Sequence, residues 1–225
     1  MNKIFDRSIG LLGKENFKLI QDKTIAIFGL GGVGGTALEA LARTGFKNFV
    51  LVDFDKVDPS NLNRQILYTE ADIGKLKVEI ARDRIHTING FANIETFEMK
   101  AQDFNYYQKV DFIVDAIDDV EGKIFLLKKA QENNIPSITS LGMANRFNPE
   151  MVKIKKLNQT HSDPLAKKVR YLAKKEGLDI GKISVVISEE LPQDNGNKLY
   201  STMMVPSSAG LSIAKYILEF IINTK

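Results

Sequence analysis

The sequence predicts an α/β protein with a Rossmann-like, doubly wound and mostly parallel sheet, extended by antiparallel strands from the C-terminal half. Two observations predict this fold. Short apolar segments rich in β-branched residues alternate with segments of helical periodicity between residues 24 and 140. A cluster of glycines also separates the first apolar segment from the first helical one, which is typical of parallel α/β proteins.

Five strands are predicted in the N-terminal half, because each segment is short, apolar and followed by polar or turn residues. They cover residues 24–28, 48–53, 92–99, 110–117 and 136–140. Apolar residues recur at helical spacing between these strands, and we predict helices over 33–44, 74–89 and 120–134. The first of these helices ends at Gly45, which suits the left-handed position that often follows a helix.

The pattern changes after Gly142. We predict further strands over 151–157, 182–188 and 198–205, and helices over 163–176 and 207–222. Ser207 or Ser208 is the expected cap of the last helix. We find no repeat and no long linker, so residues 1–225 are expected to form a single domain.

The composition excludes several classes of site. The chain has 225 residues, a formal net charge of +3, no cysteine and two histidines. Disulfides, thiolate zinc sites and cysteine nucleophiles are therefore excluded, and two histidines disfavour a histidine-rich metal site. No apolar run approaches the roughly 18 to 20 residues that a membrane span needs, and the N-terminus lacks a secretory signal. We expect a soluble cytoplasmic protein.

The glycine cluster "GLGGVG" predicts a phosphate-binding loop. Gly29, Gly31 and Gly34 fit the pattern G-x-G-x-x-G between a predicted strand and a predicted helix, and Gly32 adds a fourth glycine. Such a loop lets phosphate oxygens approach the backbone, while the helix N-terminus offers unpaired N–H groups. Asp53 ends the second strand, where an acidic residue commonly bonds a ribose hydroxyl. The motif does not distinguish NAD, FAD and ATP as the ligand. Taken alone, the loop would favour a dinucleotide.

The polar stretch 53–79 favours a nucleoside triphosphate instead. It places Arg64 and Lys77 beside the glycine loop, and a triphosphate needs such cations on its β- and γ-phosphates. "DAIDD" follows the fourth predicted strand, so Asp115, Asp118 or Asp119 would face the same crevice. One of these carboxylates could hold Mg²⁺ on the phosphates. Each residue alone could also be an ordinary surface residue, and Asp118 could be a helix cap.

Four motifs together resemble the ThiF/MoeB/ubiquitin-activating-enzyme superfamily of carboxylate-adenylating enzymes. They are "GLGGVG", "LVDFDKVDPSNLNRQ", "GKLKVE" and "DAID", and the resemblance covers roughly residues 5–140. It implies a nucleotide-binding half over 1–142 and a substrate-facing or tRNA-facing extension over 143–225. The ATP-site residues that it implies are Gly29, Gly31, Gly32, Gly34, Asp53, Asp55, Asn61, Arg64, Lys77 and Asp118.

The resemblance also implies a role for several of these residues. Gly32 would lie against the phosphates and Asp53 would bond the ribose. Asn61, Arg64 and Lys77 would contact the triphosphate, and Asp118 would coordinate Mg²⁺. Arg7, within "FDRSIGLLG", matches a family arginine that reaches into the ATP site of a partner subunit, which implies a homodimer.

The reaction implied by the family is adenylyl transfer. A substrate carboxylate attacks the α-phosphate of ATP, pyrophosphate leaves, and an acyl-adenylate forms. Alignment of the carboxylate and neutralisation of charge on the leaving pyrophosphate are the main requirements of this step. Arg64, Lys77 and Mg²⁺ would supply the neutralising charge.

A basic segment indicates a nucleic acid as the second substrate. Residues 153–175 hold eight Lys or Arg and one Asp, a net charge of +7, so the rest of the chain sums to +3 − 7 = −4. Such a concentration of charge is the electrostatic footprint of nucleic-acid binding, although a solvated helix face would look the same. The residues expected to contact this nucleic acid are Lys153, Lys155, Lys156, Lys167, Lys168 and Arg170.

Three segments, "DRSIGLLG", "SDPLAKKVR" and "SEELP…SSAG", resemble the tRNA threonylcarbamoyladenosine dehydratase branch of the superfamily. This resemblance implies that ATP activates the carboxylate of a threonylcarbamoyl group on an anticodon-loop adenosine. The carbamoyl group of the same side chain then displaces AMP. An intramolecular acceptor needs no enzyme thiol, which fits the absence of cysteine. A structural alkali-metal ion and a sulfurtransferase system are further partners that the resemblance allows.

Two alternatives remain open from the sequence. The first is adenylation of the C-terminus of a ubiquitin-like sulfur-carrier protein, whose enzymes often carry CxxC zinc ligands and a transfer cysteine. The second is a Rossmann protein without adenylating activity, either a dehydrogenase or a regulatory nucleotide sensor. The absence of cysteine and the basic segment disfavour the first alternative. Arg64, Lys77 and "SNLNRQ" disfavour the second.

Overall fold

One seven-stranded sheet organises the part of the chain that the computed structural model describes, residues 3–161, 163–196 and 198–224. The strand order is β3-β2-β1-β4-β5-β7-β6. The strands are β1 (Thr24–Phe28), β2 (Asn48–Val52), β3 (Asn93–Phe97), β4 (Phe112–Asp115), β5 (Ser137–Ser140), β6 (Val152–Lys156) and β7 (Ser184–Ser188). Every neighbouring pair is parallel except β6 and β7. The predicted α/β fold class is confirmed.

Helices cover both faces of this sheet. They are α1 (Asp6–Leu12), α2 (Lys14–Gln21), α3 (Gly32–Thr44), α4 (Lys77–Ile88), α5 (Val120–Glu132), α6 (Pro164–Lys175) and α7 (Met204–Asn223). The sequence analysis did not predict α1 and α2, which are only 7 and 8 residues long. They meet at Gly13, whose φ of 79° suits glycine and breaks the helical pattern.

The alternation of side chains along the central strands explains why the apolar runs are continuous. Ile25 and Ile27 of β1 pack into a core with residues of α3, α4 and α7. Ala26 and Phe28 point to the other face and pack in a core with residues of α5. All four are fully buried. A strand covered on both faces has no solvent-facing side, so its sequence shows no polar alternation.

The C-terminal half departs from the prediction in two ways. β7 pairs in parallel with β5, so only the edge strand β6 is antiparallel. The predicted strand over 198–205 does not form, and α7 begins at Met204. Ser207 and Ser208 therefore lie inside the helix, and neither caps it. Pro206 is compatible with this early start because proline fits the first turn of a helix.

The crossing of α7 over α3 positions the end of the molecule that carries the glycine loop. A Cβ atom on Gly210 would lie 2.5 Å from the carbonyl oxygen of Val33, so only glycine permits this close approach. The crossing also brings Pro206 against Gly32, where an added Cβ would lie 3.1 Å from the proline ring. The C-terminal helix thus supports the glycine loop from outside the nucleotide-binding half.

The last helix is also apolar enough to be considered as a membrane span. Among the described helices only α7 has the length and composition to cross a membrane. Such a helix is weak evidence of a membrane protein, since core helices of soluble proteins share these features. Here Val205, Ala209, Ile213 and Ile217 are fully buried in the main core.

Candidate nucleotide site

A cavity of about 590 Å³ lies at the carboxyl ends of β1, β2 and β4. In an open α/β sheet ligands bind in this crevice. It forms where the connections that follow two adjacent strands run to opposite faces of the sheet. Nine of the predicted ATP-site residues line it: Gly29, Gly31, Gly32, Asp53, Asp55, Asn61, Arg64, Lys77 and Asp118. The tenth, Gly34, does not line the cavity.

The glycine loop leaves little room for side chains. Gly29 has a φ of 86°, and a Cβ atom there would lie 2.7 Å from the carbonyl oxygen of Ala116. A Cβ atom on Gly34 would lie 1.9 Å from the carbonyl oxygen of Gly29, so Gly34 allows the tight turn itself. α3 begins at Gly32, which lines the cavity. The unpaired N–H groups of the first turn therefore lie at the cavity.

Asp53 ties the glycine loop to the end of β2. Its Oδ2 accepts a hydrogen bond from Leu30 N at 2.6 Å, and its Oδ1 accepts one from Asp55 N at 2.8 Å. Burial raises the pKa of the Asp53 carboxyl, while the two backbone N–H groups and Lys77 act in the opposite direction. Each oxygen keeps a lone pair that could accept a further hydrogen bond, as a ribose hydroxyl would require. The ribose role stays a prediction.

Lys77 is a buried amine at the cavity wall. Its Nζ lies 2.8 Å from Asp55 Oδ2, and its side chain is only 6% exposed, whereas that of Asp55 is 50% exposed. The backbone repeats the link, because Lys77 N donates to the carbonyl oxygen of Asp55 at 3.0 Å. The first residue of α4 is thereby fixed at the wall of the cavity that the glycine loop also lines.

The stretch between β2 and α4 is held against the glycine loop by buried contacts. Tyr68 donates a hydrogen bond to the carbonyl oxygen of Leu30 at 2.9 Å, and burial raises the pKa of its hydroxyl. Asn61 accepts a bond from Asp58 N and is buried. Arg64 is half-buried, and its Nη1 donates to the carbonyl oxygen of Ser60 at 2.6 Å. Arg64 also lines the cavity.

Gln65 is a site residue that the sequence analysis missed. It lines the cavity, it is 5% exposed, and its Oε1 finds no hydrogen-bond partner in the described part of the chain. A Cβ atom on Gly31 would lie 3.8 Å from Gln65 Nε2, so the amide is next to the glycine loop. The sequence offered a signal for Gln65, because this residue directly follows Arg64 in the segment "SNLNRQ".

The three aspartates after β4 have three different environments. Asp115 is buried, and its Oδ1 lies 3.0 Å from Lys123 Nζ. Burial raises the pKa of Asp115, and the nearby ammonium of Lys123 opposes that rise. Asp119 caps α5 by accepting a bond from Gly122 N at 2.8 Å. Only Asp118 is exposed in the cavity without a hydrogen bond from its side chain to any residue that the structure describes.

This arrangement fits Mg²⁺ that is shared with a nucleotide. Within residues 3–161, 163–196 and 198–224, no group of three or more His, Cys, Asp and Glu could hold a metal ion alone. Mg²⁺ commonly binds through one or two carboxylates together with substrate phosphates. Asp118, which lines the same cavity as Arg64 and Lys77, is suited to that shared mode.

Another part of the cavity wall was not predicted. Phe54, Met99 and Lys100 line it together with Gln102. The Lys100 ammonium lies 5.8 Å from the centroid of the Phe54 ring, and the ring is 55% exposed. An aromatic face, a thioether and an amide suit a flat nucleobase. Phe54 lies within the segment "LVDFDKVDPSNLNRQ", whereas Met99, Lys100 and Gln102 lie outside the four family motifs.

The six predicted residues of the basic segment fall into two groups, with and without partners in the protein. Lys155 forms an ion pair with Glu189, Lys156 donates to Ser184 Oγ at 3.0 Å, and Arg170 donates to the carbonyl oxygen of Thr160 at 2.6 Å. Lys153, Lys167 and Lys168 are exposed, and no ion pair involving them occurs within the described chain. Half of the predicted tRNA-contacting residues therefore have structural partners.

Arg7 lies on α1 and is exposed. It does not line the cavity of its own chain. Its role in the ATP site of a partner subunit stays a prediction.

Comparison with known proteins identifies the family. The ThiF family profile matches residues 5–223. The tRNA threonylcarbamoyladenosine dehydratase of Bacillus subtilis is 36% identical over 91% of this chain and 86% of its own. That of Escherichia coli is 34% identical over 74% of this chain and 63% of its own.

Solved structures agree with the sequence comparison. The E. coli dehydratase TcdA in complex with ATP superposes with a TM-score of 0.92 at 30% identity, covering 99% of this chain and 95% of that one. E. coli MccB with ATP has a TM-score of 0.68 at 19% identity, covering 100% of this chain and 65% of that one, and shows the fold alone. The chain belongs to the ThiF family, as its sequence motifs predict.

Proposed function

We propose that the protein is an ATP-dependent tRNA threonylcarbamoyladenosine dehydratase. The observation that carries this proposal is the composition of the cavity wall. It combines a glycine loop at a helix N-terminus with two cations, Arg64 and Lys77, and the free carboxylate of Asp118. A nucleoside triphosphate with Mg²⁺ matches that set of charges better than a dinucleotide does. The likeness to dehydratases over most of the chain supports the reaction class.

The cavity orients the nucleotide. The phosphates would lie at Gly31 and Gly32, within reach of Arg64 and Lys77. The base would occupy the end lined by Phe54 and Lys100, and Asp53 between the two ends would accept a bond from the ribose. With this order, the α-phosphorus would lie between the two ends of the cavity, where a second substrate could reach it.

The reaction has two steps. The carboxylate oxygen of the threonylcarbamoyl group attacks the α-phosphorus, and the bond to pyrophosphate breaks. The carbamoyl group of the same side chain then attacks the activated carbonyl, AMP leaves, and a ring forms with net loss of water. Arg64 and Lys77 would stabilise the charge on pyrophosphate as it departs. Mg²⁺, held by Asp118, would supply further neutralisation of the phosphates.

The exposed lysines offer a surface for tRNA. Lys167 and Lys168 lie in the first half of α6, whose opposite face is buried through Ala166 and Val169. The N-terminus of α6 is close to the carboxyl edge of the sheet, because Asp163 contacts Gly142 directly after β5. Phosphates of an RNA that reaches the cavity would therefore pass near these two lysines.

We also propose a homodimer and a cytoplasmic location, where the tRNA substrate is found. Two apolar side chains flank the exposed Arg7 in sequence, Ile4 at 61% and Leu11 at 85% exposure. A second copy would cover them and could receive Arg7 at its own cavity. A structural alkali-metal ion and a sulfurtransferase partner stay predictions from the family resemblance.

ATP–pyrophosphate exchange tests the proposal. Exchange that requires tRNA carrying threonylcarbamoyladenosine is the expected result, with loss of water from that nucleoside by mass spectrometry. Exchange that requires a small protein ending in two glycines would favour the sulfur-carrier alternative. Binding of NADH without binding of ATP would contradict adenylation altogether.

A further inference from the structure

A buried ion pair lies directly beneath the turn that carries Asp118. Lys123 Nζ of α5 is 3.0 Å from Asp115 Oδ1 at the end of β4, and the two side chains are 0% and 1% exposed. Lys123 also donates to the carbonyl oxygen of Ser140 at 2.7 Å. The ammonium group thus joins the carboxyl ends of two adjacent strands, β4 and β5, to the start of α5.

The same carboxylate holds the turn between β4 and α5. Asp115 Oδ1, which accepts from Lys123, also accepts from Ile117 N at 3.3 Å. On the other side of this turn, Ala116 N donates to the carbonyl oxygen of Phe28 at 2.8 Å, and Ala116 packs directly on Gly29. The turn is therefore fixed between the glycine loop and the ion pair.

Asp118 depends on this fixed backbone for its direction. Its side chain has no hydrogen bond to another described residue, whereas its neighbour Asp119 is held by Gly122 N and Gln102. A buried ion pair contributes little to stability on balance, because desolvation offsets the attraction between the charges. The position of the ion pair beneath the cavity wall agrees better with a role in fixing the geometry of the turn.

We propose that the Asp115–Lys123 pair is a positioning device that holds the turn after β4 and thereby aims Asp118 at the phosphates of the nucleotide. This inference rests on the proposed function, in which Asp118 carries Mg²⁺. It concerns residues that do not line the cavity and would not touch ATP.

Calorimetric titration of ATP with Mg²⁺ and with a chelator tests the inference. Wild-type protein should bind ATP more tightly with Mg²⁺. Lys123→Met should reduce that ratio of affinities about tenfold or more, as loss of groups that orient metal ligands does. Its metal-free ATP affinity should change by less than about threefold, because the other wall residues remain. Lys128→Met, an exposed residue on the same helix, is the matched control.

The double variant Asp115→Asn/Lys123→Met separates positioning from stability. It removes both charges, so its melting temperature should recover relative to Lys123→Met, which leaves a buried carboxylate unpaired. The reduced Mg²⁺ ratio should persist despite this recovery. A double variant with wild-type stability and a wild-type ratio would overturn the positioning role, and so would equal losses of metal-free and Mg²⁺-dependent affinity.

The wild-type titration distinguishes failure of this inference from failure of the proposed function. Absence of ATP binding to the wild-type protein would refute adenylation itself. ATP binding that is equally tight with and without Mg²⁺ would refute the metal role of Asp118 and the positioning role with it.

Discussion

The ammonium of Lys77 lies 2.8 Å from the carboxylate of Asp55, with the lysine side chain 6% exposed and the aspartate half exposed. The pair therefore has one partner inside the protein wall and one that can exchange contacts with a ligand. Because the lysine is fixed by burial, a triphosphate would have to compete with Asp55 for its charge or bind beside it. In either case Lys77 would be a cation preorganised for the phosphates.

We expect Lys77→Met to lose about 2 to 4 kcal/mol of transition-state stabilisation, which is roughly 30-fold to 1000-fold in kcat/KM. Methionine preserves most of the volume of the buried stem, so the fold should persist. Steady-state kinetics with modified tRNA measure the loss. Lys75→Met, at an exposed lysine paired with Asp72, is the control and should keep normal turnover. Equal activity of the two variants would remove Lys77 from the site.

Arg64→Ala should abolish turnover while leaving the fold intact. The side chain is half-buried on a surface segment, and within the described residues its hydrogen bonds reach only Ser60 and Asn63. Circular dichroism and the melting temperature should therefore stay close to wild type. Arg82→Ala removes a similar charge from the exposed side of α4 and serves as the control. Near-normal ATP-dependent turnover of Arg64→Ala would contradict a role on the phosphates.

Charge reversal at Lys167 and Lys168 should weaken tRNA binding and flatten its salt dependence. If each lysine neutralises one phosphate, the slope of log affinity against log salt should fall by about 1.8. Filter binding or fluorescence anisotropy at several salt concentrations measures the slope. Reversal of Lys109 and Lys215, two exposed lysines on other elements, changes the net charge equally. The same slope in both double variants would show that only net charge matters.

The sequence predicted the fold where elements follow from local pattern. Strands such as β1 were predictable because a buried parallel strand must be apolar on both faces, and the ThiF family was recognisable from motifs contiguous with them. The short helices α1 and α2 were missed because Gly13 interrupts their periodicity. The strand over 198–205 was wrong because a short apolar alternation can equally begin a helix, and here α7 starts at Met204.

The candidate site shows the same division. Residues inside contiguous sequence motifs, such as Arg64 and Lys77, were predictable, and the structure brings them to one cavity. Their roles stay predictions. Lys123 was not predictable, since its place depends on pairing with Asp115 and Ser140 across two strands. The contact of Pro206 with Gly32 likewise follows from a helix crossing that local sequence does not encode.

That helix crossing gives a prediction about stability. Gly210→Ala would place a methyl group 2.5 Å from the carbonyl oxygen of Val33 and 2.7 Å from Thr36 Cβ, so α7 and α3 must separate. We expect a loss of about 1 to 3 kcal/mol from this overpacking. For a chain of this size, that loss lowers the melting temperature by roughly 2 to 12 °C.

Gly10→Ala is the matched control, because nothing lies within 4 Å of its added methyl group on α1. Alanine favours the helix there, so the control should keep or slightly raise the melting temperature. Equal melting temperatures for both alanine variants would show that the close crossing of α3 and α7 does not constrain residue 210.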